Sequence, residues 1–379
     1  MKLIINTSNL YVGGGLQVAL SFLNELKQMG TEHEYHVFLS QAVAGQIYEH
    51  EFPGNFKFYL IEKSPSSLKS RWRIVSRLDA LEEQIKPDIV FSVFGPTYWR
   101  PKTIHIVGFA LGWLTNPKSE AYKALGIRQK IKRNLDSLYK KFYVKRDADF
   151  YIVETDDVRE KMNRVLNIPK QNIFVVGNTY SEYFDRDDSP TFELAEKRSD
   201  EFRLITIAHN YPHKNILVIK EVLPYLKSEK FHYKFFVTID EKSYQEHFEG
   251  MNEQVINLGP VPSKYCPSLY QQCDALFLPT LLESFTASYP EAMKMQKPIL
   301  TSDLSFAHSI CGDAAVYFDP LDPKDIAEKI IRLSEDKVLQ NELIDKGLER
   351  LESFETAKSR AQKYIEICEN VFSKNKLNQ

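Results

Sequence analysis

Short β-branched and aromatic runs recur along the whole chain, and stretches with helical apolar spacing separate them. In the first half, runs near 2–9, 34–40, 57–63, 88–94, 103–109, 148–154 and 172–177 predict strands. In the second half, runs near 202–208, 233–239, 254–259, 275–279, 298–302 and 314–318 do the same. Several are apolar without alternation, such as Ile89-Val90-Phe91 and Ala275-Leu276-Phe277-Leu278. Alternation marks a strand with one wet face. Its absence predicts strands covered on both faces, as in parallel sheets between layers of helices.

The expected architecture is therefore α/β, with two Rossmann-like domains facing each other across a cleft. Asp187-Asp188-Ser189-Pro190-Thr191 reads as a linker within 180–202. That places an N-terminal domain over 1–180 and a C-terminal domain over 181–356. A last helix over 357–379 carries Ala361, Tyr364, Ile365, Cys368 and Phe372 on one face, and closes the second domain or crosses back to the first. Open α/β sheets take ligands at the carboxyl ends of their strands, so both walls of such a cleft hold candidate residues.

Composition excludes more than it selects. Of 379 residues, 43% are hydrophobic and 26% charged, which rules out a disordered or collagen-like chain. Lys and Arg number 49 against 51 Asp and Glu, a net charge of −2, so no global field draws nucleic acid. Cys266, Cys273, Cys311 and Cys368 form no CxxC pair and no zinc-ligand spacing, and are expected as reduced, buried thiols. Lys2 precedes only Leu3-Ile4-Ile5 before polar Asn6-Thr7-Ser8-Asn9, so no secretory leader is expected. The longest apolar stretch, 104–114, falls short of the ~20 residues of a spanning helix. The expectation is a cytoplasmic protein.

Three segments carry candidate chemistry. Gly13-Gly14-Gly15 follows the first strand and opens a helix, where backbone can approach a ligand and free N–H groups face an anion. The stretch is not GxGxxG, and a plain tight turn explains it equally well. His209-Asn210-Tyr211-Pro212-His213-Lys214 follows the first strand of the second half and is expected to open a helix. Glu283 and Glu291 flank a helix expected from Ser284 to about Met295. Eight residues of helical rise separate them by roughly 12 Å, beyond the ~5–9.5 Å of paired glycosidase carboxylates. They suit the two ends of an extended ligand better than one bond.

Glu283 to Glu291 reads E-x7-E at a strand-to-helix turn, with Ser284-Phe285 after the first Glu and Pro290 before the second. This resembles the signature of the family 4 (group 1) retaining glycosyltransferases, which have the GT-B fold. Asn172-Ile-Phe-Val-Val-Gly-Asn178, Leu258-Gly-Pro-Val261, Asp274-Ala-Leu-Phe-Leu-Pro-Thr280 and Gly312-Asp-Ala-Ala-Val-Tyr-Phe-Asp-Pro320 resemble the family's supporting stretches, in its order.

The resemblance implies retaining transfer of a sugar from a UDP- or GDP-linked donor to an acceptor hydroxyl. The acceptor it implies is a lipid-linked glycan in O-antigen, capsule or exopolysaccharide synthesis. By it, Glu283 holds donor-sugar hydroxyls and Glu291 the ribose, while Ser284, Phe285 and Thr286 offer backbone N–H groups. Lys214 neutralises the leaving diphosphate, Gly14 and Gly15 approach the diphosphate from the other wall, Val261 lies beside the base, and Asn178 joins the binding set. His209 stands where the family has an Arg, and can donate a hydrogen bond or, when protonated, supply charge. No cofactor or metal is implied. The family's His-Asp pair after the fifth strand is missing: Gly108-Phe109-Ala110 stand there, and His105 inside the strand reads as core. Two alternatives stay open, a GT-B sugar-nucleotide epimerase and a non-catalytic sugar-nucleotide-binding subunit.

Between Lys118 and Arg146, ten Lys and Arg meet only Glu120 and Asp136. Ile127, Ile131, Leu135, Leu138 and Phe142 recur there as a helical stripe. Such a basic amphipathic helix packs its stripe into the core, or lays it on an anionic membrane at the inner face of the plasma membrane.

Overall fold

The computed structural model describes residues 1–123, 125–228 and 230–377 and divides the chain into two compact units. The first takes Met1–Asn116, Ile131–Gly177 and Glu355–Gln379; the second takes Pro117–Lys130 and Asn178–Phe354.

The first unit is built on seven strands: β1 (Lys2–Asn6), β2 (Glu34–Ser40), β3 (Phe56–Ile61), β4 (Ile89–Ser92), β5 (His105–Gly108), β6 (Phe150–Val153) and β7 (Ile173–Val175). Their order is β3-β2-β1-β4-β5-β6-β7, and every pairing is parallel. The second unit has β8 (Glu201–Thr206), β9 (His232–Val237), β10 (Val255–Asn257), β11 (Ala275–Leu278), β12 (Ile299–Ser302) and β13 (Val316–Phe318). Their order is β10-β9-β8-β11-β12-β13, again all parallel. Each run named from the sequence overlaps one of these strands.

Five helices frame the core and the site: α1 (Gly14–Met29), α2 (Arg71–Ile85), α3 (Ile127–Asp147), α4 (Ser288–Lys294) and α5 (Ala357–Leu377). Strand alternation explains why the first sheet needs cover on both faces. Leu3 and Ile5 point to one face, where α1 brings Phe22, Leu23 and Leu26 and α5 brings Ala361, Tyr364, Ile365 and Cys368. Ile4, between them, points to the other face and meets Ile74, Leu78, Leu81 and Ile85 of α2. Each such side chain, once fully buried, contributes about 1.5–3 kcal/mol. The last helix thus completes the core of the first unit, its Tyr364 ring 5.3 Å from Phe22 and 5.2 Å from Phe91.

His105 is a core residue of β5, as its place in the strand suggested. It is buried, with Ser92 Oγ 2.7 Å from Nε2 and the Asp147 carbonyl 2.5 Å from Nδ1. Burial lowers its pKa to about 4, so the ring is neutral. The four cysteines are buried and unpaired.

The stripe on α3 does not pack into the core. Ile127, Ile131, Leu135, Leu138 and Phe142 are all exposed, while Val144 and Asp147 face inward. Core packing of the stripe is therefore excluded. Among the described residues, no helix is long and apolar enough to cross a membrane.

Candidate functional site at the reversal point of the second sheet

In an open parallel sheet the strand order reverses once, and the diverging loops leave a crevice at the carboxyl ends of the strands. In the second sheet the reversal lies between β8 and β11. The chain leaving β8 runs through His209 to Lys214; the chain leaving β11 runs through Thr280 to Glu283.

Backbone ties these two loops together before any side chain does. Leu281 N donates to the His213 carbonyl at 2.7 Å, and Thr280 Oγ1 donates to the same carbonyl at 3.1 Å. Their side chains then meet: the Lys214 ammonium is ion-paired and hydrogen-bonded to Glu283 Oε1. Thr280 Oγ1 also lies 3.0 Å from that oxygen. The Lys214 and Glu283 side chains are 16% and 10% exposed, so the pair is shielded but reachable.

Lys214 closes a short 3-10 turn, Pro212–Lys214, where Pro212 supplies a preset φ. Asn215 ends the turn at φ 54°, and its Nδ2 donates to the Pro320 carbonyl at 2.9 Å. The expected helix does not open at this point; regular α-helix begins only at Val218. His209 is exposed on the same loop. Its ring stands 5.7 Å from Tyr211, which in turn stacks on His213 at 5.7 Å.

The E-x7-E stretch departs from expectation. Helix α4 begins at Ser288, not near Ser284, and 281–287 is irregular. Pro290 supplies the reason: its nitrogen has no proton and its ring would strike the Thr286 carbonyl in a helix begun earlier. As the third residue of α4, Pro290 causes no such conflict. Glu283 and Glu291 consequently do not share a helix, and the separation expected from helical rise does not apply.

Glu291 has different partners from Glu283. Tyr270 Oη donates to its Oε2 at 3.2 Å. Burial pushes the Glu291 carboxyl up to about 7, and the Tyr270 hydrogen bond only partly offsets that. Burial also raises the Tyr270 phenol well above its ordinary value, so it stays a donor. Between the two glutamates, Ser284, Thr286 and Ser288 are buried, and Ser284 Oγ has no hydrogen-bond partner. A buried hydroxyl without a partner costs about 1–3 kcal/mol, and a ligand oxygen or water that reaches it removes the cost. Phe285 is partly buried, its ring 6.3 Å from Phe354. Val261 follows Gly259, held at φ 68°, and packs on the cluster containing Cys266, Leu269 and Tyr270. Asn178 Oδ1 accepts from Thr179 N at 2.9 Å at the start of the second unit's main segment.

Gly14 and Gly15 belong to the first unit, where β1 leads into α1. Gly13, with φ 76°, requires glycine for its backbone. A Cβ on Gly15 would lie 3.3 Å from the Phe94 ring, whereas one on Gly14 would meet nothing. Where the family's His-Asp pair was sought, a Cβ on Gly108 would lie 1.9 Å from the Val93 carbonyl oxygen, so β5 can carry no side chain there.

Two residues that sequence reasoning passed over complete the site. Thr280 holds Glu283, and Tyr270 holds Glu291. The first polar residue after the apolar run 275–278, just past Pro279, was a usable signal for Thr280; none pointed to Tyr270. Among the described residues no three His, Cys, Asp or Glu side chains gather as metal ligands.

Known proteins resemble this chain in sequence and in fold. Residues 189–350 match the family described as glycosyl transferases group 1. The O-antigen chain mannosyltransferase RfbU of Salmonella typhimurium is 22% identical over 176 residues, 44% of this chain and 46% of that protein. The chain thus spans about half the length of this curated relative. A glycosyltransferase from Rickettsia africae superposes with TM-score 0.71 at 13% identity, covering 98% of both chains. Anabaena Alr3699/HepE, solved with UDP-glucose, superposes with TM-score 0.70 at 12% identity, over 98% of this chain and 100% of that one. The chain has the GT-B fold, two Rossmann-like domains each carried by a parallel sheet.

Proposed function

We propose that this chain of GT-B fold is a group 1 glycosyltransferase, and that it moves a sugar, with retention, from a UDP- or GDP-linked donor to an acceptor hydroxyl. The observation that carries the reading is the Lys214–Glu283 pair, held at the β8/β11 reversal by Thr280. One loop presents a fixed cation and the other a carboxylate, side by side. A nucleotide sugar carries a diphosphate next to a ring of hydroxyls, and matches that arrangement.

In the proposed reaction the bond from the anomeric carbon to the diphosphate oxygen breaks as the acceptor oxygen bonds to the same face. The acceptor proton passes to the departing phosphate oxygen. Negative charge collects on the diphosphate, so a cation fixed there stabilises the transition state more than the ground state. Lys214 supplies it without a metal ion. His209 donates one hydrogen bond to the same group, Glu283 accepts from donor-sugar hydroxyls, and Glu291 accepts from the ribose. Ser284 Oγ, unpartnered in its buried place, meets a donor oxygen.

The acceptor we propose is a lipid-linked glycan of a cell-surface polysaccharide, used by a cytoplasmic, peripheral membrane protein. The match to an O-antigen chain mannosyltransferase supports the acceptor class. The similarity to a fold solved with UDP-glucose supports the donor class.

The test incubates the protein with UDP- and GDP-sugars, with and without an undecaprenyl-diphosphate-linked glycan, and follows release of UDP or GDP and formation of product. Acceptor-dependent release with the anomeric configuration kept is expected. Conversion without acceptor would replace the reading by an epimerase; tight binding with no turnover would replace it by a binding subunit.

A further inference from the structure

Helix α3 carries its apolar stripe on the side away from the fold. At 100° per residue, Ile127, Ile131, Leu135, Leu138 and Phe142 fall within an arc of about 80°. Their exposures run from 57% for Ile131 to 79% for Ile127. The packed side of the helix lies roughly opposite, at Val144 and Asp147. Val144 belongs to a cluster with Phe109, Leu114 and Tyr151. Arg71 fixes the helix further, donating to Tyr143 Oη at 2.7 Å and stacking 5.0 Å from its ring. A rigidly held helix thus offers five large apolar side chains to solvent, an arrangement monomeric soluble proteins avoid.

Charge along the helix identifies what covers them. Arg128, Lys132 and Arg146 border the stripe on one side, Lys130 and Lys141 on the other, and Lys145 lies within it. Of the helix's acids, the half-buried Asp136 lies away from the stripe and is paired with Arg133 and Lys140 at 3.6 and 2.9 Å, and the buried Asp147 pairs with Arg146. A second copy of this face would set like charges against like. A bilayer with anionic headgroups accepts both features together: acyl chains take the stripe, and phosphates take the basic borders.

We infer that α3 is the membrane-docking element, lying in the plane of an anionic leaflet with Ile131, Leu135, Leu138 and Phe142 inserted. It cannot span the leaflet pair, because the helix is too charged. The inference names the surface behind the peripheral location proposed above and rests on that reading only for the acceptor's place in the lipid. Vesicle binding needs neither donor nor acceptor, so failure here leaves the transfer reading untouched.

The experiment is flotation of the full chain with vesicles of phosphatidylcholine alone and of equimolar phosphatidylcholine and phosphatidylglycerol. Recovery with the anionic vesicles only is expected, falling as salt rises. Two triple variants divide the contributions: Ile131→Ser/Leu135→Ser/Phe142→Ser removes the stripe, and Arg128→Gln/Lys132→Gln/Lys145→Gln removes border charge. Each should lower recovery at least about tenfold while unfolding at the wild-type temperature, because the substituted side chains lie on the surface of α3. Equal recovery with both vesicle types, or undiminished recovery of the serine variant, would overturn the inference. So would a dimer in sedimentation that only the serine variant abolishes, since that would assign the stripe to a second copy.

Discussion

Lys214 and Glu283 are bound to each other across the two loops that leave β8 and β11. Each therefore sets the other's position. Lys214→Ala leaves Glu283 shielded and without its cation, and should cost about 3 kcal/mol of stability. The double variant Lys214→Ala/Glu283→Gln should regain most of that in urea unfolding, because no charge is then stranded. Turnover should not return with it. If the double variant unfolds no later than Lys214→Ala, the two residues are not energetically coupled.

Glu291 makes stability and pH move in a set direction. Its carboxyl is raised by burial to about 7 in the folded state, above the ordinary 4.5. The folded chain therefore binds more protons than the unfolded chain between those values, and this residue's contribution falls as pH rises from about 4.5 to about 7. Above that window Glu291→Gln should stabilise the unliganded protein by about 1–3 kcal/mol, whereas at pH 4 the gain should vanish. Thermal unfolding at pH 4 and pH 8 reads the difference. A Gln variant equally affected at both pH values would mean that the wild-type carboxyl titrates normally.

The same variant should lose about 1–3 kcal/mol of nucleotide affinity, since a charged acceptor for ribose hydroxyls is gone. Calorimetric titration with UDP and GDP at pH 8 measures it. Opposite signs for stability and binding would mark Glu291 as a residue kept for its ligand. Unchanged affinity would remove it from the ribose role.

Ser284→Ala separates a ligand contact from a structural one. The wild-type hydroxyl is buried with no partner, so its removal should leave the free protein unchanged or more stable by up to about 1 kcal/mol. Donor KM should rise several-fold. A variant with lowered melting temperature and unchanged KM would show that the hydroxyl serves the fold.

Gly108→Ala tests the tightest approach in the first sheet. The added methyl would stand 1.9 Å from the Val93 carbonyl oxygen, and backbone on both sides must move. A loss of about 3 kcal/mol or more is expected in urea unfolding. A loss under about 1 kcal/mol would mean that the turn after β4 yields easily.

Much of this was legible in the chain itself, because a strand covered on both faces leaves a short, unbroken apolar run bounded by turn residues. Leu3-Ile4-Ile5 and Ala275 to Leu278 are such runs, and the sheets follow them. Helix starts were less legible. The stretch from Ser284 looks helical by spacing, yet Pro290 forbids it to begin before Ser288; the proline was visible and its reach back to Thr286 was the missed step. Periodicity found the stripe on α3 but could not say which way it faces, since that depends on what α2 and β6 leave uncovered. Lys214 and Glu283 were each singled out separately. Their meeting depends on two loops that sequence places 69 residues apart, and only the reversal of strand order brings them together.

Helix α5 closes the core of the unit in which the chain begins, although the whole segment Asn178–Phe354 lies between. During synthesis the first sheet leaves the ribosome with Phe22 and Phe91 uncovered on one face, and waits. The second sheet, all of whose strands lie between Glu201 and Phe318, takes no side chain of α5 into its core. The sheet that is made first is thus the one whose core needs the last helix, against the usual case of a leading domain complete in itself. A chain ending at Phe354 would carry every residue of the second core and lack one helix of the first.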